Sequence, residues 1–265
     1  MLIKKIFHRI KQKGLRDTLL YVWNIGIADV LDYYKYSFQK NQKKYKYPIG
    51  GYISAKDTIK KAKSSGLTVC EYVENLWNIK GQTDEIISEL RIIGALKPCE
   101  EVCEIGPGTG RYLERILLEV KPKRYHIYEV SWDWAKYLEK KYSPAVIRHN
   151  ADGHTLRYTP DNSCGLVVAF GVFVYLPVLN SFEYFMEMCR VVTKNGYIVF
   201  DCFLDESWNE TVIQKWIASG WTYPVLLPIN LLVDFFKRRG CKLIHRFSKK
   251  YGCDFSDYLV FRKEE

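Results

Sequence analysis

The chain has 265 residues, 48% of them hydrophobic, and so has room for one large domain or for one domain with an extension. Its net charge of +10 is concentrated at the start, because residues 1–63 hold 15 Lys and Arg against 4 Asp while the rest is almost neutral. The eight cysteines form no CxxC pair and no zinc spacing, no run approaches the roughly 18 apolar residues of a membrane span, and the first residues lack the features of a signal peptide. These features argue against a disulfide-rich, zinc-ribbon or transmembrane protein and predict free thiols in the cytoplasm.

The N-terminal arm, residues 1–63, is predicted to begin with a basic amphipathic helix over residues 1–25. Leu2, Ile6 and Ile10 share one side of this helix, and lysines surround them. Such a helix can lie on an anionic membrane surface at the inner face, contact a partner protein, or pack on the protein's own core. Residues 35–63 are rich in Lys and Tyr, which favours a connector or lid over a grip on single-stranded nucleic acid. A nucleic-acid partner is disfavoured because the basic excess lies outside the larger C-terminal region.

Two further helices, Thr68–Trp77 and Thr83–Ile93, are predicted before the break at Gly94 and Pro98. Residues 1–97 are therefore predicted to form a helical extension and lid, and residues 98–265 the main domain. An aromatic insertion is expected at about residues 203–230 of that domain.

The stretch from Val102 to Arg111 combines an apolar run containing Glu104 with a glycine-rich turn, whose residues are Gly106, Pro107, Gly108, Thr109 and Gly110. An amphipathic run follows directly, so the pattern predicts strand, tight turn and helix. Glycines permit positive φ and close approach of a ligand, and the helix N-terminus offers unpaired N–H groups. A dinucleotide fingerprint would read GxGxxG. An acid ahead of GxGxG instead suits a ligand with a cationic end.

Strands and helices alternate from residue 99 onward, which predicts a parallel sheet with helices on both faces. The predicted strands are Glu101–Ile105, Arg124–Val130, Ala145–His149, Leu166–Phe170, Tyr197–Asp201, Lys242–Phe247 and Ser256–Arg262. The predicted helices are Arg111–Val120, Trp132–Lys141, Ser181–Val192, Trp208–Ala218 and Asn230–Arg239. A turn at Tyr251 and Gly252 predicts that the last two strands form an antiparallel hairpin.

The glycine motif and this alternation resemble motif I and the sheet of class I S-adenosylmethionine (SAM)-dependent methyltransferases, over roughly residues 99–262. The resemblance implies an α/β fold with a seven-stranded, mostly parallel, doubly wound sheet whose last strand is antiparallel. It also implies that SAM is the cofactor and that the helices before the first strand cover the cleft.

The carboxyl ends of four strands are expected to meet at the cofactor, as ligands do in open α/β sheets. Glu129, at the end of the second strand, is predicted to accept hydrogen bonds from the ribose hydroxyls. Asp152 is predicted to accept the adenine N–H, with Ala151 beside the ring, and Phe170 and Gly171 to border the methionine end. The full predicted cofactor set is Glu104, Gly106, Pro107, Gly108, Gly110, Glu129, Val130, Ser131, Ala151, Asp152, Gly153, Phe170 and Gly171.

The acceptor side is less defined by the sequence. His154 and Asp201 are the candidate general bases, with His149 as a further possibility, and no carboxylate cluster indicates a bound metal. Tyr175, Trp208 and Trp221 are predicted to contact the acceptor, since aromatic faces suit sugar rings. Phe170-Gly171-Val172-Phe173 stands where amino-methylating DNA and glutamine enzymes carry Asn/Asp-Pro-Pro-Tyr/Phe.

These features predict O-methylation of a small molecule or a sugar or glycan. Residues 10–19 are loosely similar to the starts of bacterial surface-polysaccharide assembly proteins, which suggests that biosynthetic setting. The alternatives are an RNA or protein methyltransferase that binds its substrate through the basic arm, and a non-catalytic scaffold of the same fold. The oligomeric state is not predicted.

Overall fold

Parallel strands form the centre of the sheet in the computed structural model, which describes residues 53–221 and 223–264. The strands are β1 (Glu101–Ile105), β2 (Arg124–Tyr128), β3 (Val146–His149), β4 (Cys164–Ala169), β5 (Val192–Leu204), β6 (Leu226–Leu227), β7 (Cys241–Tyr251) and β8 (Asp254–Lys263). They lie in the order β3-β2-β1-β4-β5-β8-β7, with β6 paired to β5. Strand β8 runs antiparallel to both of its neighbours, and all other pairs are parallel. The predicted fold class is therefore confirmed.

Helices cover both faces of this sheet. They are α1 (Ala55–Ser64), α2 (Val69–Leu76), α3 (Gln82–Ile92), α4 (Arg111–Val120), α5 (Trp132–Tyr142), α6 (Val178–Val191), α7 (Glu210–Ser219) and α8 (Ile229–Lys237). No described helix is long and apolar enough to cross a membrane.

The strands are buried on both faces, which is why their sequences are nearly continuous apolar runs rather than alternating ones. All five residues of β1 are buried. Cys103 and Ile105 face one apolar core together with residues of α6 and α8, whereas Val102 faces a second core with residues of α3 and α4. The two cores hold β1 rigidly between layers, so the turn that follows it is well positioned.

Several predicted boundaries and elements are corrected by the structure. Strand β5 continues to Leu204 rather than ending at Asp201, and β2 ends at Tyr128 rather than Val130. The short strand β6 is an eighth strand that the sequence pattern did not predict, because two residues carry no periodicity. Helix α1 is a further element that the pattern does not predict, since the Lys and Tyr content of residues 35–63 favours a connector or lid. The predicted helix over residues 1–25 lies outside the described residues.

The start of helix α1 is tied to the start of α5. Ala55 N–H donates to Asp133 Oδ2 at 2.8 Å, and Trp134 Nε1–H donates to the carbonyl of Ile53 at 2.7 Å. Ser54 caps α1 with its side chain. These contacts place residues 53–55 directly beside the carboxyl end of β2.

Candidate functional site

The glycine turn after β1 is held by backbone hydrogen bonds and by close packing. Gly106 N–H donates to the carbonyl of Tyr128 at 2.8 Å, which ties the ends of β1 and β2 together. Gly110 has φ +80°, and a Cβ there would lie 2.3 Å from Leu138 Cδ2. Glycine at 110 is therefore required both by the left-handed backbone and by the approach of α5.

Glu129 follows β2 and contacts the glycine turn directly. Its Oε2 accepts from Gly108 N–H at 2.7 Å, and its Oε1 accepts from Ser131 N–H at 2.7 Å. Burial raises the pKa of this carboxyl, and the two backbone hydrogen bonds partly offset that effect. Val130 beside it is 68% exposed, which is a large apolar exposure for a strand end. The structure thus brings Gly108, Glu129, Val130 and Ser131 together, and their contact with a cofactor stays a prediction.

Asp152 follows β3 and organises its own turn. Oδ1 accepts from His154 N–H at 3.0 Å and from Thr155 N–H at 2.7 Å, and Oδ2 accepts from the Thr155 hydroxyl. Burial alone would raise its pKa, but these hydrogen bonds outweigh burial and lower it. The carboxylate is therefore ionised and oriented, with capacity left on Oδ2 for a ligand donor. Its contact with adenine stays a prediction.

Gly171 follows β4 and is positioned by Asp201. Gly171 N–H donates to Asp201 Oδ1 at 2.5 Å, and the Ser256 hydroxyl donates to Oδ2 at 2.9 Å. Asp201 is fully buried, and burial raises its pKa to about 6. The prediction that Asp201 ends its strand was wrong, because β5 continues to Leu204, whereas its role as a base stays a prediction. Asp201 is a positioning residue that holds the backbone after β4.

Glu104 lies one residue inside β1 rather than at its tip. It is 1% exposed, and its Oε2 accepts the hydroxyl of Tyr125 at 2.6 Å. Burial, with a smaller contribution from the negative charge of Glu129, raises its pKa to about 8. The raised pKa favours the neutral form of this carboxyl, and contact of Glu104 with a cationic ligand stays a prediction.

Residues 102–196 match the sequence model of a methyltransferase domain. The chain therefore carries a methyltransferase-domain sequence and has the fold of class I SAM-dependent methyltransferases. No functionally curated protein shows a significant sequence match to it.

Solved structures share the fold of this methyltransferase at low sequence identity. Magnesium protoporphyrin IX methyltransferase from Synechocystis, solved with bound S-adenosylhomocysteine (SAH), has a TM-score of 0.56 at 11% identity and covers 78% of this chain and 93% of its own. A SAM-dependent methyltransferase from Methanosarcina mazei has a TM-score of 0.51 at 12% identity, covering 65% and 96%. The N-methyltransferase NodS from Bradyrhizobium japonicum, also with SAH, has a TM-score of 0.51 at 16% identity, covering 69% and 87%.

The strand ends of the methyltransferase fit SAM. The glycine turn leaves backbone free of side chains, Glu129 presents a partly exposed carboxyl at that turn, and the apolar Val130 stands open beside it. Residues at the ends of β1 to β4 would hold the cofactor. The roles of the individual residues remain predictions.

The histidines of the methyltransferase occupy different settings. His149 ends β3 and bonds to another imidazole: its Nε2 lies 2.8 Å from His126 Nδ1, and His126 Nε2 lies 2.9 Å from Glu101 Oε2. Burial and the neighbouring His126 lower the pKa of His149 to about 4, so it stays neutral. His154 lies in the Asp152 turn, 42% exposed, with Nδ1 3.5 Å from Glu183 Oε2. His154 alone of these three is open to solvent and oriented by a carboxylate.

The predicted acceptor residues lie together around the insertion. Trp208 and Trp216 stack at 5.9 Å, and Phe203 lies edge-on to both. Tyr175 and Trp221 are partly buried and pack against this apolar cluster. An open cavity of about 330 Å³ adjoins it, with Trp208, Trp216 and Trp221 in its lining.

Tyr251 is a site residue that the sequence reasoning missed. It lies edge-on to Phe203, and a Cβ on Gly171 would be 3.7 Å from its hydroxyl oxygen. Burial raises its pKa well above the usual value, as do the nearby Tyr223, Asp201 and Tyr175. Tyr251 ends β7 in the last hairpin, far from Gly171 along the chain, and the sequence pattern there indicates only a turn. Among the described residues, no group of three or more His, Cys, Asp and Glu could hold a metal ion.

Proposed function

We propose that this methyltransferase methylates an oxygen atom of a small molecule or a glycan. The observation that carries the proposal is the aromatic wall, which we define as Tyr175, Phe203, Trp208, Trp216 and Tyr251. It connects the backbone at Gly171 to the open cavity beside the insertion. Aromatic faces bind the apolar faces of sugar and other rings, while phenol hydroxyls bind their oxygens.

Methyl transfer to a hydroxyl oxygen requires two functions from the protein. SAM supplies an electrophilic methyl group when bound, so the acceptor must be positioned in line with it. A hydroxyl acceptor also needs a group that takes its proton. Tyr175 and Tyr251 have pKa values raised by burial, so they serve as neutral hydrogen-bond partners. His154, oriented by Glu183, is the candidate base.

The biosynthetic setting we propose is bacterial surface-polysaccharide assembly at the inner face of the membrane. It is supported by the loose similarity of residues 10–19 and by the basic character of the arm. Most of that arm lies outside the described residues. The competing proposal, an RNA or protein substrate gripped by the arm, is an outcome of the experiment below.

The test is a radiolabelled-methyl transfer screen over nucleotide sugars, lipid-linked glycans, small hydroxylated molecules, RNA and proteins. Incorporation into a sugar or small molecule is expected. Trp208→Ala should lower kcat/KM for the identified acceptor about 10-fold or more, because an aromatic contact of this size is lost, and leave SAH affinity within about 2-fold. Leu231→Ala, an exposed site on α8, is the control. Incorporation into RNA or protein alone would overturn the proposal.

A further inference from the structure

Arg111 is a partly buried cation that forms no ion pair with an acid in the part of the chain that the structure describes. It is the first residue of α4, directly after the glycine turn. Its one side-chain hydrogen bond among residues 53–221 and 223–264 is a long one, from Nη1 to Thr83 Oγ1 at 3.5 Å. No carboxylate in those ranges lies within ion-pair distance of it. Arg115, one turn further along the same helix, is bound to Asp84 at 2.6 Å.

The carboxyl groups nearest to Arg111 are already occupied. Glu74 accepts from Gly81 N–H at 2.8 Å and from Thr83 N–H at 2.9 Å. Asp201 accepts from Gly171 N–H and from the Ser256 hydroxyl. Both act on Arg111 only through longer-range electrostatics. A cation taken out of water without a hydrogen-bonded anion is costly, so the site is incomplete as it stands.

Aromatic rings hold the guanidinium in place. Its carbon lies 4.6 Å from the centre of the Tyr112 ring and 5.4 Å from that of Trp77. Tyr112 in turn packs on Phe170, which follows β4, at 4.2 Å between ring centres, so one aromatic ring separates Arg111 from Phe170. Cation–π contacts fix the position of the group without consuming its in-plane N–H donors. Nε and Nη2 therefore keep the fork geometry that binds a carboxylate with two parallel hydrogen bonds.

We propose that Arg111 binds a carboxylate group of a ligand in the cleft. The inference rests on the methyltransferase assignment and not on the acceptor class. Two sources carry this chemistry: the α-carboxylate of the methionine end of SAM, and an acidic group on the acceptor. The position of Arg111 directly after the glycine turn suits the first, and its electrostatic interaction with Tyr251 suits the second.

The first experiment measures binding by calorimetry to wild type, Arg111→Gln, Arg111→Lys and the control Arg115→Gln. The probes are SAH and its decarboxylated analogue, which keeps the amino group. If SAH supplies the carboxylate, Arg111→Gln should weaken SAH binding about 10- to 100-fold but change binding of the analogue by less than about 3-fold. The affinity of Arg111→Lys for SAH should lie between those of wild type and Arg111→Gln, since lysine keeps the charge and loses the forked pair of N–H donors.

The second experiment uses the same proteins saturated with SAH and titrates them with UDP-glucuronic acid and UDP-glucose. If the acceptor supplies the carboxylate, wild type should prefer the acidic sugar and Arg111→Gln should lose that preference, with SAH affinity unchanged. Equal loss of SAH and its analogue would indicate a purely structural role. That result, or wild-type behaviour of Arg111→Gln in both experiments, would overturn the proposal. Wild-type binding of SAH separately tests the cofactor, and the transfer screen separately tests the acceptor.

Discussion

Four acidic residues of this protein stand near strand ends in the sequence but have different surroundings in the structure. Glu129 is partly exposed and bonded to the glycine turn, Asp152 organises a turn, and Glu104 and Asp201 are fully buried. Each was predicted from its place near a strand end. Burial and hydrogen-bond partners then separate the acid bonded to the glycine turn from those that lie inside the sheet.

Glu129 gives the sharpest prediction at this scale. Glu129→Ala should weaken SAM binding about 100-fold or more, because the carboxyl anchors the turn and is the predicted partner of the ribose hydroxyls. Gly108→Val should act similarly, since Gly108 has φ +52°. Calorimetry with SAM measures both, with Glu119→Ala at the far end of α4 as control. Unchanged affinity in both variants would refute the cofactor site as assigned.

At the scale of elements, helices α2 and α3 depend on one another. The N-cap of α3 is Gly81, which has φ +80° and no side chain to cap the helix. Glu74 from α2 supplies the missing acceptor, binding Gly81 N–H and Thr83 N–H with its two oxygens. The sequence indicated a start near Thr83 from the local acids Asp84 and Glu85. The cap itself comes from the preceding helix, which local capping rules do not reveal.

Removing this cap should therefore destabilise the protein. Glu74→Ala leaves two helix N–H groups without an acceptor in a buried setting, and should lower the free energy of unfolding by about 1–3 kcal/mol. Glu71→Ala is the matched control, because Glu71 closes an exposed capping box with Thr68 on the same helix, and it should cost about 1 kcal/mol or less. Urea denaturation measures both changes. Equal losses of unfolding free energy in the two variants would show that burial of the Glu74 cap adds nothing to stability.

At the scale of the whole molecule, buried carboxyls make stability depend on pH. The pKa of Glu104 is raised to about 8 and that of Asp201 to about 6, from ordinary values near 4. A raised pKa in the folded state means that the folded protein binds more protons than the unfolded chain between those values. The stability that each group contributes is therefore complete below its unfolded pKa and is lost as pH rises through its folded pKa.

Glu104→Gln isolates this effect, because the amide keeps an acceptor for Tyr125 and cannot ionise. The free energy of unfolding of this variant relative to wild type should rise between pH 5 and pH 8, by on the order of 2 kcal/mol. Urea denaturation at three pH values measures it, and Glu119→Gln, on the surface, should show no such trend. A difference that stays constant with pH would contradict the raised pKa of Glu104.

The sequence by itself determined the order of strands and helices, the glycine turn and the placing of Glu129, Asp152 and Gly171 at strand ends. These follow from local periodicity, from the φ values that glycine permits and from the convergence of parallel strand ends in an α/β sheet. Only the tertiary structure decided that Glu104 and Asp201 are internal, that Tyr251 reaches Gly171 from the last hairpin, and that Arg111 has no acidic partner among the described residues. Burial and pairing depend on residues distant in the chain, and no local pattern records them.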